Sequence, residues 1–270
     1  MYKRQSLNST HAGALFALSG TISGVEIFGG GLGATNAGAT HIFSISAAAA
    51  EITRLHIHDT HTPSAQDEAN VFFGAVDHSL NGVIIERCIA TTQEQFIDIK
   101  TSAVNNSDIR NITVRDCRWE ADGAGSSYGI GIYSAGGTGI IADIKVDKCR
   151  VEGAAVSAIY IDDAENGAVT NCHVKSWGDS QTGIYLSDGS SCLVQGNYLD
   201  GAGITTPNGI TSDSLGGAII GNVIKGIATG ANWGIKTTYD TRPKTVTGNS
   251  LGGSDNDTDT GGGDISTGNG

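Results

Sequence analysis

Proline is almost missing from this chain, at 3 residues in 270, and methionine occurs once. Apolar residues make up only 39%, which is below the usual range. No apolar run approaches the roughly 20 residues that cross a bilayer as a helix, so no membrane insertion is expected. Lys3 and Arg4 stand near the start, but no apolar stretch follows them, and no secretory signal is visible. Basic residues are scarce, 16 against 28 acidic, for a net charge of −12. That field repels phosphate backbones and anionic membrane surfaces, so nucleic acid is not an expected partner. Otherwise the charge speaks mainly for solubility. The five cysteines (88, 117, 149, 172 and 192) include no C-x-x-C pair. They fit neither a zinc site nor a small-domain disulfide frame.

What the chain does have is glycine, at 40 residues, about twice average usage. Each Gly inside a helix costs about 1 kcal/mol relative to Ala, which disfavours a helical bundle. The chain also repeats itself. Segments such as Val83–Cys88, Ile112–Cys117, Ile144–Cys149, Ala168–Cys172, Leu193–Asn197, Ile219–Asn222 and Val246–Asn249 end on a shared marker position. Upstream, Leu55–Thr60 and Val25–Gly30 continue the series more weakly, and successive markers lie 23 to 32 residues apart. Three residues before each marker stands a β-branched residue: Ile27, Ile57, Ile85, Val114, Val146, Val169, Val194, Ile219 or Val246. Two residues after it the position is again mostly apolar, as in Trp119, Val151, Val174, Leu199, Ile224 and Leu251. A further strand supplies a third apolar column, Ile97, Ile130, Ile159, Ile184, Ile210 and Ile235. This is period-two alternation on both sides of a bend. A single unit cannot bury its apolar side, whereas stacked units share one continuous core.

The run Gly183–Gly189 followed by Val194–Gly201 resembles the repeat of the right-handed parallel β-helix, as found in the pectate-lyase-like superfamily. The resemblance covers about residues 14–251 and implies an all-β solenoid of about nine coils. At about 4.8 Å per coil the rod would be about 40 Å long. Residues 1–13 form a short polar N-terminal segment. Residues 252–270, with seven Gly and four Asp, are expected to be a flexible tail. The Asp255–Asp259 run is a weak Ca²⁺ candidate that lacks the Gly and Glu of an EF-hand loop. No other cofactor is implied.

Side chains between the inward columns point outward, and three groups of them could carry chemistry. On the strand before each marker, Tyr160 and Tyr185 stack, with Asp98 and Lys236 further along. Tyr133, Asp162, Ser187 and Asp213 form the next column, and Asp163 and Asp188 share the strand end one coil apart. A spacing of about 5 Å suits a retaining glycosidase pair, whereas Asp162 and Asp213, two coils apart, come nearer the inverting range. Exposed Tyr faces suit stacking on sugar rings. The same Asp residues also make good turns, and a Ca²⁺ site on them is a third reading. On the strand after the marker, Arg118, Arg150, His173 and Tyr198 form one outward column, and Glu120, Glu152, Lys175, Asp200 and Lys225 the next. The ordinary outcome there is a solvated ion-pair ladder, while polyuronate lyases and epimerases of the resembled fold place acid and base groups on such a face. The last group is His56, His58, Asp59 and His61. An i, i+2 His pair can hold a metal, but no third or fourth ligand is evident, so no metal site is assigned.

The turns are short, so a substrate should be an extended chain lying on the flank, which suits a polysaccharide. The resemblance extends to the rod of bacteriophage tailspikes and depolymerases. It implies polysaccharide as partner, while the outward columns themselves point to glycosidase-type cleavage by Asp162, Asp163 and Asp188, with contacts from Tyr160, Tyr185, Arg150 and His173. The resemblance further implies a homotrimer, located on a virion or outside the cell after folding in the cytosol. A lyase or epimerase on the Arg/His/Tyr face and a non-enzymatic adhesin or scaffold remain as alternatives. The marker column should stack Asn amides and small buried thiols, with all five cysteines reduced.

Overall fold

Period-two alternation in each repeat produces short strands, and bends at fixed places let each strand lie beside its counterpart in the next repeat. The computed structural model describes residues 6–9, 16–18, 20–34, 41–45, 51–65, 70–76, 79–92, 95–101, 107–121, 128–136, 139–179, 181–201, 203–205, 208–227, 233–237, 244–252, 256–259 and 265–267. Side chains are described within 20–31, 51–62 and 79–91 and for those residues from 95 to 252. No helix occurs among the described residues. Among the described residues every strand pairing is parallel, and the strands form three sheets of ten, ten and eleven strands. The fold is an all-β parallel solenoid.

One central coil shows the path. The second sheet contributes Ile130–Tyr133, the third Ile141–Asp147, and the first Arg150–Glu152 after the marker Cys149. The next coil repeats this order. Pairing register follows the repeat columns. Ile57 pairs Ile85, Ile85 pairs Val114, and the series runs on through Val146, Val169, Val194 and Ile219 to Val246. Trp119, Val151, Val174, Leu199, Ile224 and Leu251 form the second column. Ile97 through Ile235 form the third. All of these are buried and belong to one apolar cluster. Each such side chain stabilises by about 1.5–3 kcal/mol through burial.

The bend before each marker has a local cause. Asp59, Arg87, Asp116, Lys148, Asn171, Gly196, Gly221 and Gly248 each directly precede a marker, and all have positive φ, between 50° and 65°. One left-handed residue turns the strand of the third sheet into that of the first. Asn, Asp and Gly tolerate this conformation best, and Arg87 and Lys148 adopt it at the same place in their coils as Asp59, Asp116 and Asn171 do in the adjoining ones. The marker side chains then point inward. All five cysteines are free and buried, as expected. The Cys117 thiol lies 3.6 Å from the Ile85 carbonyl of the preceding coil and 3.2 Å from the Arg115 carbonyl of its own. Cys192 is the exception to the column, since it sits in the third sheet opposite Gly217.

The expected count of nine coils is not met. The sheets take in additional strands at both ends: Ser6–Ser9, paired with Gly31–Ala34, and Asn256–Asp259 and Ile265–Thr267, which add to the second and third sheets. The last two lie in the stretch read from the sequence as a tail. Their Gly- and Asp-rich composition carries no apolar alternation to announce them. Asp255 and the side chains of residues 256–259, the weak Ca²⁺ candidate, lie outside the described residues.

Candidate functional site

The outward face of the second sheet carries a tyrosine array. Tyr160 and Tyr185 pair in register on Ile159–Asp162 and Thr182–Ser187, with ring centroids 5.4 Å apart. Tyr128 stacks on Tyr160 at 4.7 Å, and Tyr133 leans against both, 5.9 Å from Tyr128 and 5.8 Å from Tyr160. Gly131 makes room for this. It stands in the Tyr column beside Tyr160, and a Cβ there would lie 3.2 Å from Tyr128 and 3.3 Å from Tyr133. The missing side chain lets two rings from neighbouring positions fill the gap. Tyr128 was not legible as part of the array, because it lies outside the strand alternation.

Carboxylates border the rings. Asp98 points outward as the alternation requires, yet it is only 3% exposed. Lys100 Nζ lies 3.3 Å from its Oδ2, and its Oδ1 has no hydrogen-bond partner. At the other end Tyr185 donates to Asp213 Oδ2 at 2.6 Å. Burial, with Asp213 second, pushes the Tyr185 phenol up to about 12. Burial likewise raises Tyr133, next to Asp98, and Tyr160, next to Asp162.

Asp162 pairs Ser187 at the edge of the array. Partial burial raises its carboxyl above the ordinary range, and the charges of Asp163 and Asp188 add to this against hydrogen bonds from Ser187 and Tyr160. Asp163 is also raised, by loss of solvation and then by Asp188. Asp163 and Asp188 both have positive φ, 55° and 47°, so each also makes the bend into the third sheet. The turn reading and the chemical reading therefore apply to the same residues. Ser187 donates to Asp188 Oδ2 at 3.0 Å. The two turn Asp residues, with Glu165, Gly189, Ser190 and Leu215, line an open depression of about 320 Å³. The three acids thus gather at one corner, with Asp162 on the tyrosine side and Asp163 and Asp188 around the bend.

The first sheet carries the other predicted columns. Arg118, Arg150, His173 and Tyr198 are in register, as are Glu120, Glu152, Lys175, Asp200 and Lys225. The second column turns them into a ladder. Arg150 lies 3.0 Å and Lys175 2.6 Å from Glu152, and Arg118 lies 3.3 Å from Glu120. Lys225 approaches Asp200 at 3.7 Å and lies 5.0 Å above the Tyr198 ring. His173 meets Tyr198 edge-on at 4.9 Å. Burial and then Arg150 lower its pKa, which favours the neutral ring. Arg150 and His173 are thus brought together with each other but lie on a different sheet from Asp162, Asp163 and Asp188.

A family model described as right handed beta helix region matches residues 40–250. Comparison with curated proteins and with solved structures returned no match.

Proposed function

The chain belongs to the right-handed β-helix family, and on that frame we propose that it binds an extended polysaccharide along its second sheet and hydrolyses it at the corner formed by Asp162, Asp163 and Asp188. The carrying observation is that the array of Tyr128, Tyr133, Tyr160 and Tyr185 ends at Asp162, with Asp163 and Asp188 one coil apart beside it. Tyrosine faces present large apolar area with a polar tip, which suits the alternating faces of sugar rings. Acid-catalysed cleavage needs one carboxyl that keeps its proton and one that does not. Asp162 is the acid: its proton passes to the glycosidic oxygen as the bond to the anomeric carbon breaks. Asp188 is the partner carboxylate that attacks that carbon; water then displaces Asp188 from it and returns a proton to Asp162, while burial, with the charge of Asp163 adding to it, holds the acid's pKa up. The coil spacing of about 4.8 Å between Asp163 and Asp188 lies close to the separation of about 5–5.5 Å in retaining enzymes, and Asp162 stands next to this pair, opposite Ser187.

One observation favours a second reading. His173 stands in register with Arg150, and burial and then that guanidinium lower its pKa, an arrangement suited to proton abstraction from an acidic sugar. A panel of capsular, lipopolysaccharide and uronate polymers separates the readings, with reducing ends and unsaturated-uronate absorbance as the two signals. Asp162→Asn and Asp188→Asn should lower turnover by about 10²–10⁴-fold while polymer binding persists. Tyr160→Ala should weaken binding. Loss of activity in His173→Ala alone, with unsaturated products, would move the chemistry to the first sheet. No binding to any polymer would leave the scaffold reading.

A further inference from the structure

The strands Ile22–Phe28 and Glu51–His58 lie at the N-terminal part of the third sheet, away from the tyrosine array. Their alternation turns Leu55 and Ile57 into the core and leaves Glu26, His56 and His58 outward. Parallel pairing sets Glu26 opposite His56 and Phe28 opposite His58. Glu26 Oε1 lies 2.9 Å from His58 Nε2 and 3.9 Å from His56 Nδ1. Ligand atoms of all three residues fall within 4.8 Å of one another.

We propose that Glu26, His56 and His58 form a Zn²⁺ site that clamps two neighbouring coils, with solvent completing the coordination. Zinc bonds to nitrogen and oxygen of 2.0–2.2 Å in a tetrahedron place ligand atoms about 3.3 Å apart. The two distances from Glu26 bracket that value, so side-chain adjustment alone can seat the ion. Two imidazoles and one carboxylate make a donor set that suits zinc over Ca²⁺ or Mg²⁺, which take mainly oxygen.

The surroundings supply the stronger argument. Metal-bound histidines usually give their second ring nitrogen to a carboxylate or carbonyl, and both do so here. His58 Nδ1 lies 2.7 Å from Asp59 Oδ2, and His56 Nε2 lies 3.1 Å from Glu86 Oε1. Each ring therefore turns one nitrogen toward Glu26 and the other toward an outer carboxylate. Those carboxylates are themselves fixed. Arg87 bridges them, at 2.8 Å from Asp59 Oδ1 and 2.6 Å from Glu86 Oε1, and Arg115 binds the other oxygen of Glu86. Glu86 is 3% exposed, so its position is set by packing as well as charge. Phe28 stacks flat on the His58 ring at 5.5 Å, which holds that ring upright. Asp59 and Arg87 also form the left-handed bends of successive coils, so the outer shell is tied to the backbone path.

Isothermal titration of the untagged full chain with ZnCl₂ tests the site, with CaCl₂ and MgCl₂ in parallel. One Zn²⁺ per chain should bind, and neither alkaline-earth ion should compete at equal concentration. His56→Ala and His58→Ala should each weaken Zn²⁺ binding by more than tenfold. Glu86→Gln, which touches no metal, should weaken it about 10–100-fold. His173→Ala, on the distant ladder, should bind as wild type. Circular dichroism checks folding, and Glu26→Gln, an exposed and nearly isosteric change, decides the matter if a His variant does not fold. The proposal fails if no Zn²⁺ binds, or if the folded variants at Glu26, His56 and His58 bind it as wild type does.

Discussion

Asn197 donates from its side-chain Nδ2 to Asn222 Oδ1 at 3.0 Å, and its backbone N–H reaches the same oxygen at 2.9 Å. Asn222 stands in the same relation to Asn249 one coil on, with both distances 2.9 Å. Each amide also donates to a carbonyl of the preceding coil, Asn197 to Val169 and Asn222 to Val194. The side chains thus run a second hydrogen-bond chain along the axis inside the rod. Asn222→Ala would leave the Asn197 backbone N–H and one Asn197 side-chain N–H buried without their shared acceptor. At about 1–3 kcal/mol each, the expected loss is about 2–6 kcal/mol, read as a lower urea midpoint. A loss below about 0.5 kcal/mol would show that the chain of amides is incidental.

The inward β-branched column makes the second prediction. Val169 packs between Val146 and Val194 with none of its side chain exposed. Val169→Asp buries a charge with no partner and should cost several kcal/mol or prevent folding. Gln195→Asp, on an exposed position nearby, should stay within about 0.5 kcal/mol of wild type. Equal effects from the two would contradict the inward–outward assignment.

The columns were legible because burial leaves a period-two mark in every repeat, and stacking copies it some 27 residues later. The pairings of Val114 with Val146 and of Tyr160 with Tyr185 follow from that alone. Three features of the sites left no such mark. Tyr128 joins the rings only because Gly131 leaves a gap. Asp98 follows the outward rule but is covered by its neighbours. Glu26 looks like any exposed carboxylate until the register sets it against His56, 30 residues away. The left-handed bends were half legible: Asn171 and Gly196 suit them, whereas Arg87 and Lys148 give no local signal.

The thiols supply a third prediction. Cys88, Cys117, Cys149 and Cys172 stack in one column with their sulfurs directed at carbonyl oxygens, and all five are free. Parallel side chains on stacked strands present poor disulfide geometry, and burial pushes the Cys192 thiol up. A disulfide-exchange reagent should therefore find few thiols in the native protein and five in denaturant. Fast reaction of several thiols in the native state would mean that the bend between the third and first sheets opens readily.

The last prediction separates the two roles of Asp162 through pH. Its folded pKa is raised, chiefly by burial, so between the unfolded and folded values the native state binds more protons than the unfolded chain. By linkage, stability falls as pH rises through that window, and the loss remains at neutral pH. Asp162→Asn should remove it and be more stable than wild type at pH 7, with the gap closing in acid. Glu152 has the opposite sign. Lys175 and Arg150 lower its pKa, so its contribution is present above the unfolded value and lost as pH falls through the folded one. Glu152→Gln should therefore be less stable than wild type at pH 7 and match it in strong acid. Urea midpoints from pH 3 to 8 give both signs. A carboxyl kept for structure should stabilise, whereas one kept for chemistry can stand against stability. If Asp162→Asn is instead less stable at pH 7, the carboxyl serves the turn, and the assignment of Asp162 as the acid loses its support.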